Sequence, residues 1–270
     1  MTNHTMRVPG AEIYYEIRGE GPVLLLSQSG EGDADRGKDL VDRLVADFTV
    51  VTYDRRGLSR STLDDPAVTM AVHADDVHRL LAEVTDAPAA MLGCSFGAAL
   101  GLHVAARHPE QLHTLIAHEP VAPWLLPGNA RERHVRELAE VQEVFEREGL
   151  APAIKLVAEV LGIDPHSDDR EPDLTAFPMT PQRVANFGFF LRHDLTAIRQ
   201  DVLDPDAVRR SPTRIVAAAG RTTPRGVFDY LCAVELAALT GAEPQELPGG
   251  HNGNLTHPRA YADGIRRLLG

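Results

Sequence analysis

Short continuous apolar runs alternate with helical spacing through the first 120 residues, and that rhythm leaves few architectures open. Glu12–Arg18 alternates apolar and polar residues with period two, as a half-buried strand does. Val23–Ser27, Phe48–Tyr53 and Ala89–Leu92 are continuous apolar runs, the pattern of strands buried on both faces. Val72–Val84 carries Val72, Val77, Leu80, Leu81 and Val84 at helical spacing, and Phe96–Arg107 reads as a helix ended by His108-Pro109. Leu112–His118 is the next strand. Strands alternating with helices predict an α/β fold built on a mostly parallel sheet.

After residue 120 the rhythm changes. Charged helical pattern dominates from about Val121 to Asp201, including the long amphipathic stretch Arg131–Glu148. Strand pattern returns at Thr213–Ala219 and more weakly at Glu243–Leu247, and a last helix spans Pro258–Leu269. We therefore expect a core of residues 1–120 and 202–270, with 121–201 inserted as a helical cap over one end of the sheet. A chain of 270 residues suits one such domain.

The most informative segment is Gly93-Cys94-Ser95-Phe96-Gly97. It has the form G-x-S-x-G between an apolar strand and a helix, the context in which a serine is presented on a sharp strand-to-helix turn. The flanking glycines leave room for neighbouring chain, and the helix N-terminus favours developing negative charge. Ser95 is thus the candidate nucleophile. Cys94 reads as a small buried filler. Gly249-Gly250-His251-Asn252 lies between the last weak strand and the last helix, and a histidine there can swing beside Ser95 as general base. His257, before Pro258, reads as a cap or solvent-facing residue.

Taken with VLLLSQSG, the segment Tyr53 to Ser61 (YDRRGLSRS) and the segment Gly249 to Pro258 (GGHNGNLTHP), these motifs resemble the α/β-hydrolases over essentially the whole chain. The resemblance implies an eight-stranded sheet with helices on both faces and a cap after the sixth strand. It also implies an oxyanion hole made by the backbone N–H groups of Phe96 and of Gly30. Many members carry an Asp after the seventh strand, where this chain reads Gly220-Arg221-Thr222-Thr223-Pro224. Glu119, in His118-Glu119-Pro120 at the end of the sixth strand, is the preferred partner for His251. Asp229 is the runner-up, expected to point away because it falls in the helix after Pro224. With HEP after strand six and GCSxG at the elbow, the chain is similar to fungal zearalenone lactonases and to actinobacterial hydrolases bearing HEP. The first group implies a Ser–His–Glu arrangement.

Other classes fit less well. The net charge is 27 − 39 = −12, and an acidic chain argues against nucleic acid as partner. No apolar run approaches the ~20 residues a membrane span needs. Two cysteines, Cys94 and Cys232, form neither a disulfide framework nor a CxxC pair, and no leader is visible at MTNHTMRVPG, so a cytoplasmic location is expected. His103, His108, His113 and His118 recur every five residues, but along a helix, a loop and a strand they cannot face one point, so no metal is expected. No glycine pattern for a nucleotide phosphate occurs, and no cofactor is expected. Trp124, Phe187 and Phe190, in the insertion, are candidates to line an acyl pocket. The expected partner is a small ester or lactone. Carbon–carbon bond hydrolysis, perhydrolysis and a non-catalytic ligand-binding role stay open as alternatives.

Overall fold

The computed structural model describes residues 2–64 and 68–270. Eight strands form one sheet: β1 (Thr2–Val8), β2 (Ala11–Arg18), β3 (Val23–Ser27), β4 (Thr49–Tyr53), β5 (Ala89–Cys94), β6 (Leu112–His118), β7 (Arg214–Gly220) and β8 (Gln245–Leu247). Their order across the sheet is β1-β2-β4-β3-β5-β6-β7-β8. β2 pairs antiparallel with β1 and β4, and β4 through β8 run parallel.

The apolar runs are buried on both sides, with period two deciding the side. Leu25, Met91, Leu115 and Ala217 face one core, whereas Leu24, Leu26, Leu92, Ile116 and Val216 face the other. Helices α1 (Lys38–Leu44) and α11 (Pro258–Leu269) close the second core. Helices α2 (Met70–Val84), α3 (Phe96–Arg107) and α9 (Phe228–Thr240) close the first. Between β6 and β7 run α4 (Gly128–Glu148), α5 (Leu150–Val160), α6 (Pro181–Phe189), a π-helical turn (Phe190–Asp194) and α7 (Leu195–Arg199). The short helices α8 (Pro205–Arg210) and α10 (Gly253–Thr256) precede β7 and α11. Among the described residues, no helix is long and apolar enough to cross a membrane.

The strand assignments made from the sequence hold to within one or two residues at either end; β5 runs on two residues past Leu92 to Cys94, and β8 starts two residues late at Gln245. β1 has no counterpart in the hydrophobic pattern. It is an edge strand, mostly exposed, held in register with β2 by main-chain pairing. Only Met6 and Val8, at its end, reach the core, too short a stretch to leave a periodic signal.

Candidate active site

The strand-to-helix turn after β5 is a tight one. Ser95 has φ 58° and ψ −113°, a left-handed-side conformation that a residue with a Cβ adopts only when its surroundings enforce it. Four main-chain bonds do so: Ser95 N–H donates to the His118 carbonyl at 2.9 Å, and the Ser95 carbonyl accepts from Ala98 at 3.1 Å, Ala99 at 3.2 Å and Val121 at 3.3 Å. Both flanking glycines are required by close approach. A Cβ on Gly97 would lie 2.1 Å from the Ser27 carbonyl oxygen, and one on Gly93 2.6 Å from the Ala98 Cα. Cys94 is buried beneath, with its Sγ 3.9 Å from the Tyr261 hydroxyl.

β5, β6 and β7 are adjacent and parallel, and Cys94, His118 and Ala218 share one level of the sheet. The next residues, Ser95 and Glu119, therefore emerge together at the C-terminal edge, where parallel sheets place their ligand crevices. Glu119 also has a positive φ, 45°, and is fully buried. Its Oε1 accepts from the Gly220 N–H at 2.8 Å, and its Oε2 lies 2.7 Å from His251 Nδ1. The His251 loop is held in place by Thr222 N–H on the Gly249 carbonyl and Arg221 N–H on the Leu247 carbonyl. His251 Nε2 has no hydrogen-bond partner among the described residues.

Asp229 does not point away. α9 begins at Phe228, so Asp229 sits in its first turn and faces the sheet edge, fully buried. Its Oδ2 is 2.6 Å from His251 Nδ1, but outside hydrogen-bond geometry, and neither of its oxygens has a hydrogen-bond partner. The position after strand seven that lacks a carboxylate in sequence is thus filled in space from the following helix.

The two acids differ in their donors. Burial pushes the Glu119 carboxyl up, but the hydrogen bond from His251 and the neighbouring histidines outweigh it and hold Glu119 well below the ordinary range. Burial also pushes Asp229 up; His251 opposes this, the Glu119 charge adds to it, and Asp229 rises to about 6. For His251, burial lowers the pKa, while Asp229 and Glu119 more than offset it and raise it above the ordinary value. Two carboxyls this close cannot both ionise cheaply, which favours the charge on Glu119, the one that accepts hydrogen bonds, over Asp229.

The loop after β3 is organised by Arg55. Its guanidinium donates to the carbonyls of Gln28 (3.3 Å), Ser29 (2.9 Å) and Gly30, and stacks over the Phe96 ring at 4.5 Å. Drawing these carbonyls to one side leaves the Gly30 N–H, like that of Phe96, without a protein acceptor among the described residues. Arg55 in turn pairs with Asp194 at 3.2 Å, which also meets His73 Nε2 at 3.1 Å, all three buried. The Tyr53–Ser61 segment is thus an ion-pair framework, with Arg56 on Asp76 and Arg60 on Asp54, Glu16 and Asp35 as further links.

Over Ser95 lies an apolar cavity walled by Ser95, Phe96, Val121, Leu138, Val157 and Phe190, with further aliphatic residues. Of the three aromatic residues expected there, only Phe190 takes part. Trp124 is buried in the packing beside α9, and Phe187 lies half-buried under the Arg183 guanidinium. Aromatic content misled here because the wall is built of branched aliphatic side chains from α4 and α5. The four regularly spaced histidines have separate surroundings: His103 meets Asp201, His108 stacks on His78, His113 meets Thr114, and His118 lies beside His251.

The model of the family described as the alpha/beta hydrolase fold matches residues 22–186. An uncharacterized hydrolase of Bacillus subtilis (strain 168), YraK, is 34% identical over 275 residues, spanning 100% of this chain and 96% of its own. A zearalenone hydrolase of Bionectria ochroleuca is 26% identical over 269 residues, spanning 97% of this chain and 95% of its own. Among solved structures, a bromoperoxidase from Bacillus anthracis superposes with a TM-score of 0.76 at 18% identity, covering 99% of each chain, a likeness of fold.

Proposed function

The chain belongs to the α/β-hydrolase family, and from that premise we propose that it is a serine hydrolase cleaving a carboxylic ester or lactone through an acyl-enzyme. The observation that carries this reading is the 2.7 Å contact of His251 Nδ1 with Glu119, which emerges beside Ser95 at the same sheet edge; the contact leaves Nε2 without a partner among the described residues. Glu119 fixes the tautomer and stabilises the imidazolium that forms. His251 Nε2 takes the proton from Ser95 as Oγ attacks the carbonyl, then gives it to the leaving oxygen. The N–H groups of Phe96 and Gly30 receive the oxyanion, a preset electrostatic contribution that is commonly the largest in acyl transfer. Residues 121–201 act as the cap, which closes the acyl side from water. No step requires a cofactor, and the substrate is a small neutral molecule.

The test is product analysis by liquid chromatography and mass spectrometry. Wild-type protein and Ser95→Ala are incubated with short-chain aryl esters and with a resorcylic macrolactone. Hydrolysis that vanishes in Ser95→Ala supports the reading. Turnover that survives the substitution, or none on any ester or lactone, contradicts it. Including β-diketones, and acetate with peroxide, separates carbon–carbon hydrolysis and perhydrolysis from ester cleavage.

A further inference from the structure

Ser95 and His251 stand in the walls of two depressions of opposite character. The first is the apolar cavity, whose wall holds Ser95 and Phe96 and otherwise only aliphatic and aromatic side chains, among them Val121, Leu138, Val141, Val157, Phe190 and Ile198. Its volume is about 20 Å³, room for roughly one water-sized group. The second is an open groove of about 380 Å³ with His251 on its wall. Asp164, Asp169, Arg170, Thr222 and Asn252 line it, so both donors and acceptors are present with nearly balanced charge. The far wall of this groove is anchored: Glu171 N–H donates to the Thr256 carbonyl, and its carboxylate accepts from the N–H groups of Arg259 and Ala260.

The chemistry decides which part of a substrate lies on which side. Ser95 Oγ bonds to the carbonyl carbon and its proton passes to His251. The carbon–oxygen ester bond then breaks, and the leaving alcohol takes that proton from His251, so the alcohol must lie on the histidine's side. Water next bonds to the acyl carbon, its proton returns through His251 to Ser95, and the acid departs. The acyl group stays throughout on the serine's side. Resting on the serine-hydrolase reading, we propose that the site selects esters of a short apolar acid with an uncharged, hydroxyl-bearing alcohol. A polar acyl group would find no partner in the aliphatic cavity, and a long one no room. A macrocyclic lactone, whose two ends are tethered and bulky, fits this division poorly.

The experiment measures kcat/KM for four esters: glyceryl acetate, glyceryl octanoate, butyl acetate and butyl octanoate. Ser95-dependent hydrolysis of p-nitrophenyl acetate is followed alongside. Glyceryl acetate is expected to lead, with each single change costing about tenfold or more. Leu138→Ala, which enlarges the cavity, is expected to raise the octanoyl-to-acetyl ratio about tenfold. With p-nitrophenyl acetate cleaved through Ser95, an octanoyl preference, equal rates for the two alcohols, or no cleavage of the four overturns this inference alone. Absence of Ser95-dependent cleavage overturns the serine-hydrolase reading and this inference with it.

Discussion

Asp229 Oδ2 lies 2.6 Å from His251 Nδ1, the same nitrogen that Glu119 Oε2 engages at 2.7 Å. One imidazole thus has two buried carboxyls at one edge, only one of which accepts from it in good geometry. The arrangement favours Glu119 as the acid of the proposed mechanism and leaves Asp229 within reach of the same nitrogen.

Non-additivity follows from that sharing. Loss of the only triad acid lowers kcat about 10⁴-fold in well-studied serine enzymes. Here Glu119→Gln is expected to cost about 10²-fold, because Asp229 can accept the Nδ1 proton, and Glu119→Gln with Asp229→Asn to approach the full 10⁴. Steady-state kcat for the two single variants and the double checks this. A single Glu119→Gln variant as inactive as the double would deny Asp229 any part.

The pH profile carries the second prediction. In the proposed mechanism His251 works as neutral imidazole, and the two carboxyls raise its pKa despite the opposing effect of burial. Activity therefore climbs with pH through a titration above the usual histidine value. Asp229→Asn removes one negative neighbour, lowers that pKa and moves the acid limb of kcat/KM to lower pH. An unmoved or upward-shifted limb would contradict the sign.

A third prediction concerns the link between the β3 loop and the insertion. Asp194 is fully buried and pairs with both Arg55 and His73. Asp194→Ala leaves the Arg55 charge buried without its partner, which costs about 3–5 kcal/mol. Urea unfolding of the variant reads the loss directly. A change below about 1 kcal/mol would mean that Arg55 is satisfied by the loop carbonyls alone.

Gly97→Ala tests the elbow itself. The added Cβ would lie 2.1 Å from the Ser27 carbonyl oxygen, a backbone atom of a buried strand that cannot swing aside. Overpacking of this kind costs about 1–3 kcal/mol, and it also displaces Ser95. Both Tm and turnover are expected to fall together.

Much of this was legible in the sequence because the core strands are continuous apolar runs and the elbow is a local pattern. Ser95 and the glycines around it declare themselves within five residues. Glu119 was legible from its place at the end of β6. Asp229 was not: its place beside His251 depends on where α9 begins relative to the sheet edge, and the start at Phe228 has no side-chain cap to announce it in the sequence. The aliphatic cavity was equally hidden, since Leu138 and Val157 look like the inner faces of amphipathic helices and nothing local says they meet over a serine. β1 escaped notice because its stability comes from pairing with β2, not from burial.

The central claim is that Ser95 is an activated nucleophile. A fluorophosphonate reacts preferentially with such a serine, and peptide mapping by tandem mass spectrometry locates the adduct. The account predicts one adduct per chain, on Ser95, absent from Ser95→Ala and formed far more slowly in His251→Ala. A folded protein that takes up no label, or takes it up at another residue, would contradict it.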